Sequence, residues 1–192
     1  LTKKQASPTS PVGLKSNTTP RGAVLQPLNP LTVSLGVANA SFIAQGVDWM
    51  PEQLYDIVRK AFHHRGFSFV RIIQRCPEFL PKMFEPWLHD PGRTLLLTHA
   101  NGLQPSADVS RIYRNQREHD PLDIHTAREI ASCEDPIPVG ILFHDPSVPC
   151  YEDLRHAGAP RSPELTRTGL DAELDKYTIW PEERDSQPAQ AV

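Results

Sequence analysis

Hydrophobic residues are scattered singly among Ser, Thr, Pro, Lys and Gly through residues 1–30, and neither a twofold nor a 3.6-fold period can be traced there. The segments Ser-Pro-Thr-Ser-Pro and Asn-Thr-Thr-Pro-Arg-Gly read as turns. A long irregular loop is expected, either disordered or kept for function. The pattern changes at Asn29-Pro30, where Asn can cap and Pro suits a first helical position. A short buried helix is predicted over Leu31–Asn39, and a strand over Ser41–Val47. From Pro51, Leu54, Ile57, Val58, Ala61 and Phe62 recur at the spacing of one helix face. Glu52 occupies the first turn, His63, His64 and Arg65 the last, and Gly66 stands as the stop. Phe67–Ile73 is a strand of aromatic and β-branched residues. Strand, helix and strand in this order imply parallel pairing.

Beyond Cys76-Pro77 the pattern weakens. Residues 77–93 read as Pro-rich and irregular, Thr94–Thr98 as a short strand, and 105–118 as polar and mixed. A helix is predicted over Asp123–Ser132 and a last strand over Ile137–Phe143, whose Pro138 argues for an edge strand or an early strand position. From Pro160 the apolar content falls, leaving an extended or disordered tail with one short helix near Leu170–Tyr177. The expectation is an α/β chain with a mostly parallel sheet: a loop over 1–30, a central region over 31–158 and a tail over 159–192.

Composition adds limits. The 192 residues suffice for one core, and a net charge of −3 gives no reason to expect a nucleic acid or an anionic membrane as partner. Leu31–Val47, the longest apolar stretch, is interrupted by Ser, Gly, Asn and Gln and does not reach the ~20 residues of a membrane span. Cys76, Cys133 and Cys150 form neither a CxxC pair nor a disulfide framework, so reduced thiols and a cytoplasmic setting are expected. No GxGxxG, P-loop, GxSxG or HExxH motif occurs. His63 and His64 diverge by about 100° on a helix and read as helix-end charges rather than a metal pair. Trp49 and Trp87 are expected to pack or to face a subunit interface, and His99 and His119 to hydrogen-bond in loops. On residue type alone, Cys76 is a small buried hydrophobe and Lys3-Lys4 a solvated pair.

Several segments, in one order, resemble the beta subunit of 2-oxoacid:ferredoxin oxidoreductases of the 2-oxoglutarate type. Leu1-Thr-Lys-Lys-Gln5 with Ser7-Pro-Thr-Ser10 is similar to that family's YGLTKGQ…SPTS segment. Asn29-Pro-Leu31, Ser41-Phe-Ile-Ala44, the strand running into Cys76-Pro77, Leu97-Thr-His-Ala-Asn-Gly102, Arg117-Glu-His-Asp-Pro121 and Ile137-Pro-Val-Gly-Ile141 follow. The resemblance covers about residues 1–155 and implies a partial thiamine-diphosphate-binding fold. It also implies oxidative decarboxylation of a 2-oxoacid, 2-oxoglutarate favoured, with coenzyme A, giving an acyl-CoA, CO2 and reduced ferredoxin. The implied cofactors are thiamine diphosphate as electron sink, Mg2+ on its diphosphate and a [4Fe–4S] cluster, and the implied partner is an alpha subunit that brings the activating Glu.

By the same resemblance, Thr2 and Gln5 would lie near the cofactor, and Leu1 and Lys3 would line the substrate pocket. Cys76 would be one ligand of the [4Fe–4S] cluster, while Cys133 and Cys150 match no ligand position. The family's GDG-and-Asn magnesium motif and its other three cluster cysteines find no counterpart in this sequence, so the chain is expected to be the C-terminal part of such a subunit, inactive by itself. Lys4 departs from the pattern by standing where the family usually has Gly, which puts the loop geometry in question. The alternatives are a non-catalytic remnant or module that binds an alpha subunit, and another thiamine enzyme, which would leave Cys76-Pro77 and the first loop without a common purpose.

Overall fold

Asn29 shows how the chain joins its elements. Its side-chain oxygen accepts a hydrogen bond from the Leu31 amide at 3.0 Å, capping helix α1 (Pro30–Ser34), while its Nδ2 donates to the Ala131 carbonyl at 2.7 Å. One side chain thus satisfies an unpaired donor at one helix start and an unpaired acceptor at the end of another, α5 (Ile124–Ala131). The computed structural model describes residues 4–100, 103–157 and 163–178. The chain divides into two units, Leu1–Leu154 and Arg155–Val192.

In the first unit, β1 (Phe42–Val47), α2 (Pro51–His63) and β2 (Ser68–Ile73) form the expected strand-helix-strand, with β1 and β2 parallel from Phe42 opposite Ser68 to Val47 opposite Ile73. A short helix α3 (Glu85–His89), β3 (Thr94–Thr98), α4 (Ala107–Ile112), β4 (Gln116–Glu118), α5, β5 (Ile137–His144) and α6 (Tyr151–Arg155) follow. The sheet runs β2-β1-β5-β3-β4, parallel except between β1 and β5. Alternation along β1 fixes the layers. Ile43 joins Leu31 and Leu35 of α1 and Ala127, Ile130 and Ala131 of α5. Its neighbours Phe42 and Ala44 join Ile57 of α2, so helices cover both faces. Among the described residues no helix is long and apolar enough to cross a membrane.

The α/β class and the mostly parallel sheet are as the sequence implies, but several local expectations need correction. The helix predicted to reach Asn39 stops at Ser34, because Gly36 and a left-handed Asn39 (φ 62) turn the chain back. Segments read as irregular hold α3, α4 and β4. Of the two placements that Pro138 allowed, the early strand position holds, and β5 itself lies centrally. Pro138 is tolerated because it is the second residue of the strand and the β1 ladder begins only at Gly140, so no β1 carbonyl awaits its missing N–H. In the second unit a helix, α7 (Pro163–Asp175), takes the place of the shorter one predicted near 170–177.

The β1–β5 ladder slips by one residue between Ile43 and Ala44, leaving Leu142 as a bulge. The Nε2 of buried His119 hydrogen-bonds the Leu142 carbonyl at 3.1 Å. His99, 1% exposed, directs Nδ1 to the His119 carbonyl at 3.3 Å, with the two rings 4.6 Å apart. With carbonyls as partners, each of these nitrogens is a donor, so both rings are neutral tautomers. His99 Nε2 and His119 Nδ1 have no partner among the described residues, and a proton added to either would be buried without an acceptor. Burial, then the neighbouring His99 and Arg117, push the pKa of His119 down to about 4.

Two outcomes follow from this packing. A Cβ at Gly140, whose φ is +138, would lie 2.8 Å from Leu97 Cβ and 3.1 Å from its carbonyl oxygen. Gly140→Ala is expected to cost about 2 kcal/mol or more, read as a lower denaturant midpoint at unchanged slope. Because the folded pKa of His119 lies below its unfolded value of 6.5, its contribution is complete above pH 6.5 and drains away as pH falls toward 4. That contribution is on the order of 3 kcal/mol at ~1.4 kcal/mol per unit of pKa. His119→Gln, which keeps a donor but does not titrate, is expected to flatten the loss of stability between pH 6.5 and 4. An equally steep loss in the variant would contradict this account.

Candidate functional site

Strand β2 ends at Ile73, and its exit is fixed by the end of β1. The Asp48 amide donates to the Ile73 carbonyl at 3.0 Å. The Asp48 carboxylate then accepts the Arg75 backbone N–H at 3.1 Å and its Nε at 2.9 Å. Cys76 follows immediately. There the chain folds into a tight turn in which the Leu80 amide donates to the Cys76 carbonyl at 3.1 Å and the Phe79 amide to Cys76 Sγ at 3.4 Å. Backbone N–H bonds, the Phe79 one foremost and those of Leu80 and Glu78 after it, hold the thiol's pKa below the ordinary thiol range, against desolvation and the Glu78 charge. The turn is therefore a small nest of amide dipoles around a partly exposed sulfur, which favours the thiolate.

Opposite this turn lies the N-terminal loop, tied down by its own hydrogen bonds. Gly13 and Leu14 exchange bonds with Ala23 at 2.7 and 3.0 Å, Leu28 donates to the Pro8 carbonyl at 2.8 Å, and Asn17 donates to the Lys4 carbonyl at 3.0 Å. Lys4, which the resemblance sets against a glycine, adopts φ 58. The left-handed angle is thus kept with a side chain present, at a cost of ~1 kcal/mol.

Between loop and turn is a cleft of about 820 Å³. Gln5, exposed, lines it on one side and Cys76 on the other. Of the residues singled out from sequence, these two are therefore brought to one cavity, whereas Leu1, Thr2 and Lys3 lie outside the described residues. Cys133 also lines the cleft, unlike Cys150, whose thiol donates to Glu152 at 2.6 Å. Trp49 and Trp87 pack about Phe84, with ring centroids 5.9 Å from it in both cases, and Phe84 and Trp87 form part of the wall.

Sequence reasoning passed over Gln45, Arg71 and Glu134, which line the same cleft. The signal was available for the first two, since Gln45 and Arg71 are the polar interruptions of the otherwise apolar strands Phe-Ile-Ala-Gln-Gly-Val and Ser-Phe-Val-Arg-Ile-Ile.

The cleft residues fit an iron–sulfur cluster in one respect: Cys76 offers a sulfur that accepts the Phe79 amide and whose proton is held less tightly than an ordinary thiol's. They do not fit a self-sufficient metal centre, because no group of three or more His, Cys, Asp or Glu able to hold a metal occurs among the described residues. The magnesium site implied by the resemblance has no ligand set among them.

Comparison with known proteins bears on what such a cleft serves. Residues 109–158 match the family described as the C-terminal region of the pyruvate ferredoxin oxidoreductase beta subunit. The chain is 41% identical over 85 residues to the 2-oxoglutarate oxidoreductase subunit KorB of Mycobacterium tuberculosis, covering 44% of this chain and 22% of that protein. It is 28% identical over 153 residues to the beta subunit of 2-oxoacid:ferredoxin oxidoreductase 2 of Aeropyrum pernix, covering 80% of this chain and 47% of that one. Among solved structures it resembles a 2-oxoglutarate:ferredoxin oxidoreductase from Magnetococcus marinus, solved with 2-oxoglutarate, coenzyme A and succinyl-CoA bound, at a TM-score of 0.60 and 25% identity, over 88% of this chain and 53% of that one. The chain thus spans about half or less of the length of these relatives. With the C-terminal region matched at 109–158 and the fold shared across most of its length, the chain is similar to the beta subunits of 2-oxoacid:ferredoxin oxidoreductases.

Proposed function

We propose that this chain serves as part of a beta subunit that, with an alpha subunit, oxidatively decarboxylates a 2-oxoacid in the presence of coenzyme A and passes the electrons to ferredoxin. The observation that carries this reading is the Cys76 turn: a partly exposed sulfur, supported by the Phe79 amide at 3.4 Å, on the wall of the cleft that Gln5 also lines. A buried aliphatic cysteine would need neither the amides nor the opening.

In this reading Cys76 is one thiolate ligand of a [4Fe–4S] cluster, the other three coming from polypeptide outside the described residues. The thiol is poised for it because the amide nest lowers the cost of losing its proton. Gln5, with Thr2, is assigned to the thiamine diphosphate side of the cleft, and Leu1 and Lys3 to the 2-oxoacid. When bound, thiamine diphosphate with its magnesium would supply the electron sink for decarboxylation and the cluster the path for single electrons. What the chain itself contributes is positional. The Asp48–Arg75 pair at 2.9 Å holds the exit of β2, the Cys76 turn fixes the sulfur's direction, and the loop lines the other side of the cleft.

The names of the relatives and the ligands of the Magnetococcus enzyme support 2-oxoglutarate as the 2-oxoacid. That the Aeropyrum relative is itself a beta subunit supports an alpha partner.

Two outcomes are expected. In the subunit assembled with its alpha partner and reconstituted with iron and sulfide, Cys76→Ala abolishes the cluster's visible absorbance and lowers bound iron, while Cys150→Ala leaves both unchanged. Unaltered iron in Cys76→Ala would refute the ligand role. The assembled enzyme reduces ferredoxin with 2-oxoglutarate and coenzyme A. Turnover with pyruvate alone would contradict the substrate assignment.

A further inference from the structure

Gln45 and Arg71 are direct partners in the parallel β1–β2 register, so their side chains leave the sheet on one face, and both line the cleft. Gln45 is 1% exposed. Its Nε2 donates to the Pro138 carbonyl at 2.6 Å, which fixes the amide and leaves its Oε1 buried without a donor among the described residues. An unsatisfied buried acceptor of this kind costs stability unless something fills it. Beside it, the half-buried Arg71 makes no hydrogen bond or ion pair with any described residue. Desolvation lowers the guanidinium's pKa, opposed only by the more distant charge of Glu134. A guanidinium partly stripped of water is stabilised by a charged acceptor, and its planar fork suits a carboxylate.

We infer that Arg71 and Gln45 form a specificity site in the cleft, Arg71 receiving a carboxylate of a 2-oxo dicarboxylic acid and Gln45 Oε1 accepting from a hydroxyl or water that accompanies it. This inference rests on the proposed function and adds to it the residues that read the substrate's second charge. A monocarboxylic 2-oxoacid has one carboxylate to place and would leave either this site or the reacting end without its anion. A dicarboxylic one fills both.

The test is binding of 2-oxoglutarate to the subunit assembled with its alpha partner, measured by calorimetry and by the 15N-edited NMR signal of the Arg71 Nε–H. Wild type is expected to bind, with the Arg71 signal shifting on saturation. Arg71→Met is expected to weaken binding at least tenfold and Arg71→Lys to fall between, since a lysine keeps the charge but loses the fork. Cys150→Ala, whose thiol lies outside the cleft, is expected to bind as wild type does. The inference is overturned if 2-oxoglutarate leaves the wild-type Arg71 signal unmoved, if Arg71→Met binds as tightly as wild type, or if inorganic phosphate binds as tightly as 2-oxoglutarate, which would make this a site for any anion. The wild-type NMR signal decides the question even if a variant fails to fold. Iron content in Cys76→Ala tests the cluster reading and the wild-type Arg71 signal tests this one, so each can fail without the other.

Discussion

The parallel pairing of β1 with β2 is the constraint on which the rest depends. Six register pairs, from Phe42–Ser68 to Val47–Ile73, set Gln45 beside Arg71 and bring both strands to a common end. At that end Asp48 grips Arg75 through backbone and side chain, and the next residue is Cys76. A slip of one residue would turn Arg71 and Gln45 to opposite faces of the sheet and break the Asp48–Arg75 pair. The cleft is thus the continuation of a ladder whose register is held by burial on both faces.

The parallel pairing, though not its register, was legible in the sequence because it is written in period and punctuation. The helix Pro51–His63 announces itself through Leu54, Ile57 and Ala61, and the flanking strands through their β-branched and aromatic residues. What could not be read was set by tertiary contacts. The central place of β5 depends on a strand ladder that begins past Pro138. The bulge at Leu142 shows itself only through its partner strand and through His119, twenty-three residues away, which takes up the freed carbonyl. The short elements α3, α4 and β4 span three to six residues each, too few to express a period.

The candidate site divides along the same line. Cys76 and the first loop were marked by resemblance, and the fold brings Gln5 and Cys76 to one cavity. Lys4 adopts a left-handed angle where the resemblance expects a glycine, a conformation that costs a side-chain-bearing residue local strain. Gln45 and Arg71 carried a readable signal as polar residues inside apolar strands, but only the register shows that they are neighbours and face the cleft. His99 and His119 stand in loops and hydrogen-bond there as expected; what the sequence did not show is that both are buried and that their bonds tie the ends of β3 and β4 to β5.

The central claim is that the amide nest after β2 prepares Cys76 to bind iron. An experimental structure of the assembled, cluster-loaded subunit tests it most directly. The account predicts the sulfur of residue 76 bonded to an iron atom, with the amide of Phe79 still directed at that sulfur. A cluster completed by a different thiolate, with Cys76 packed among hydrocarbon side chains, would contradict it.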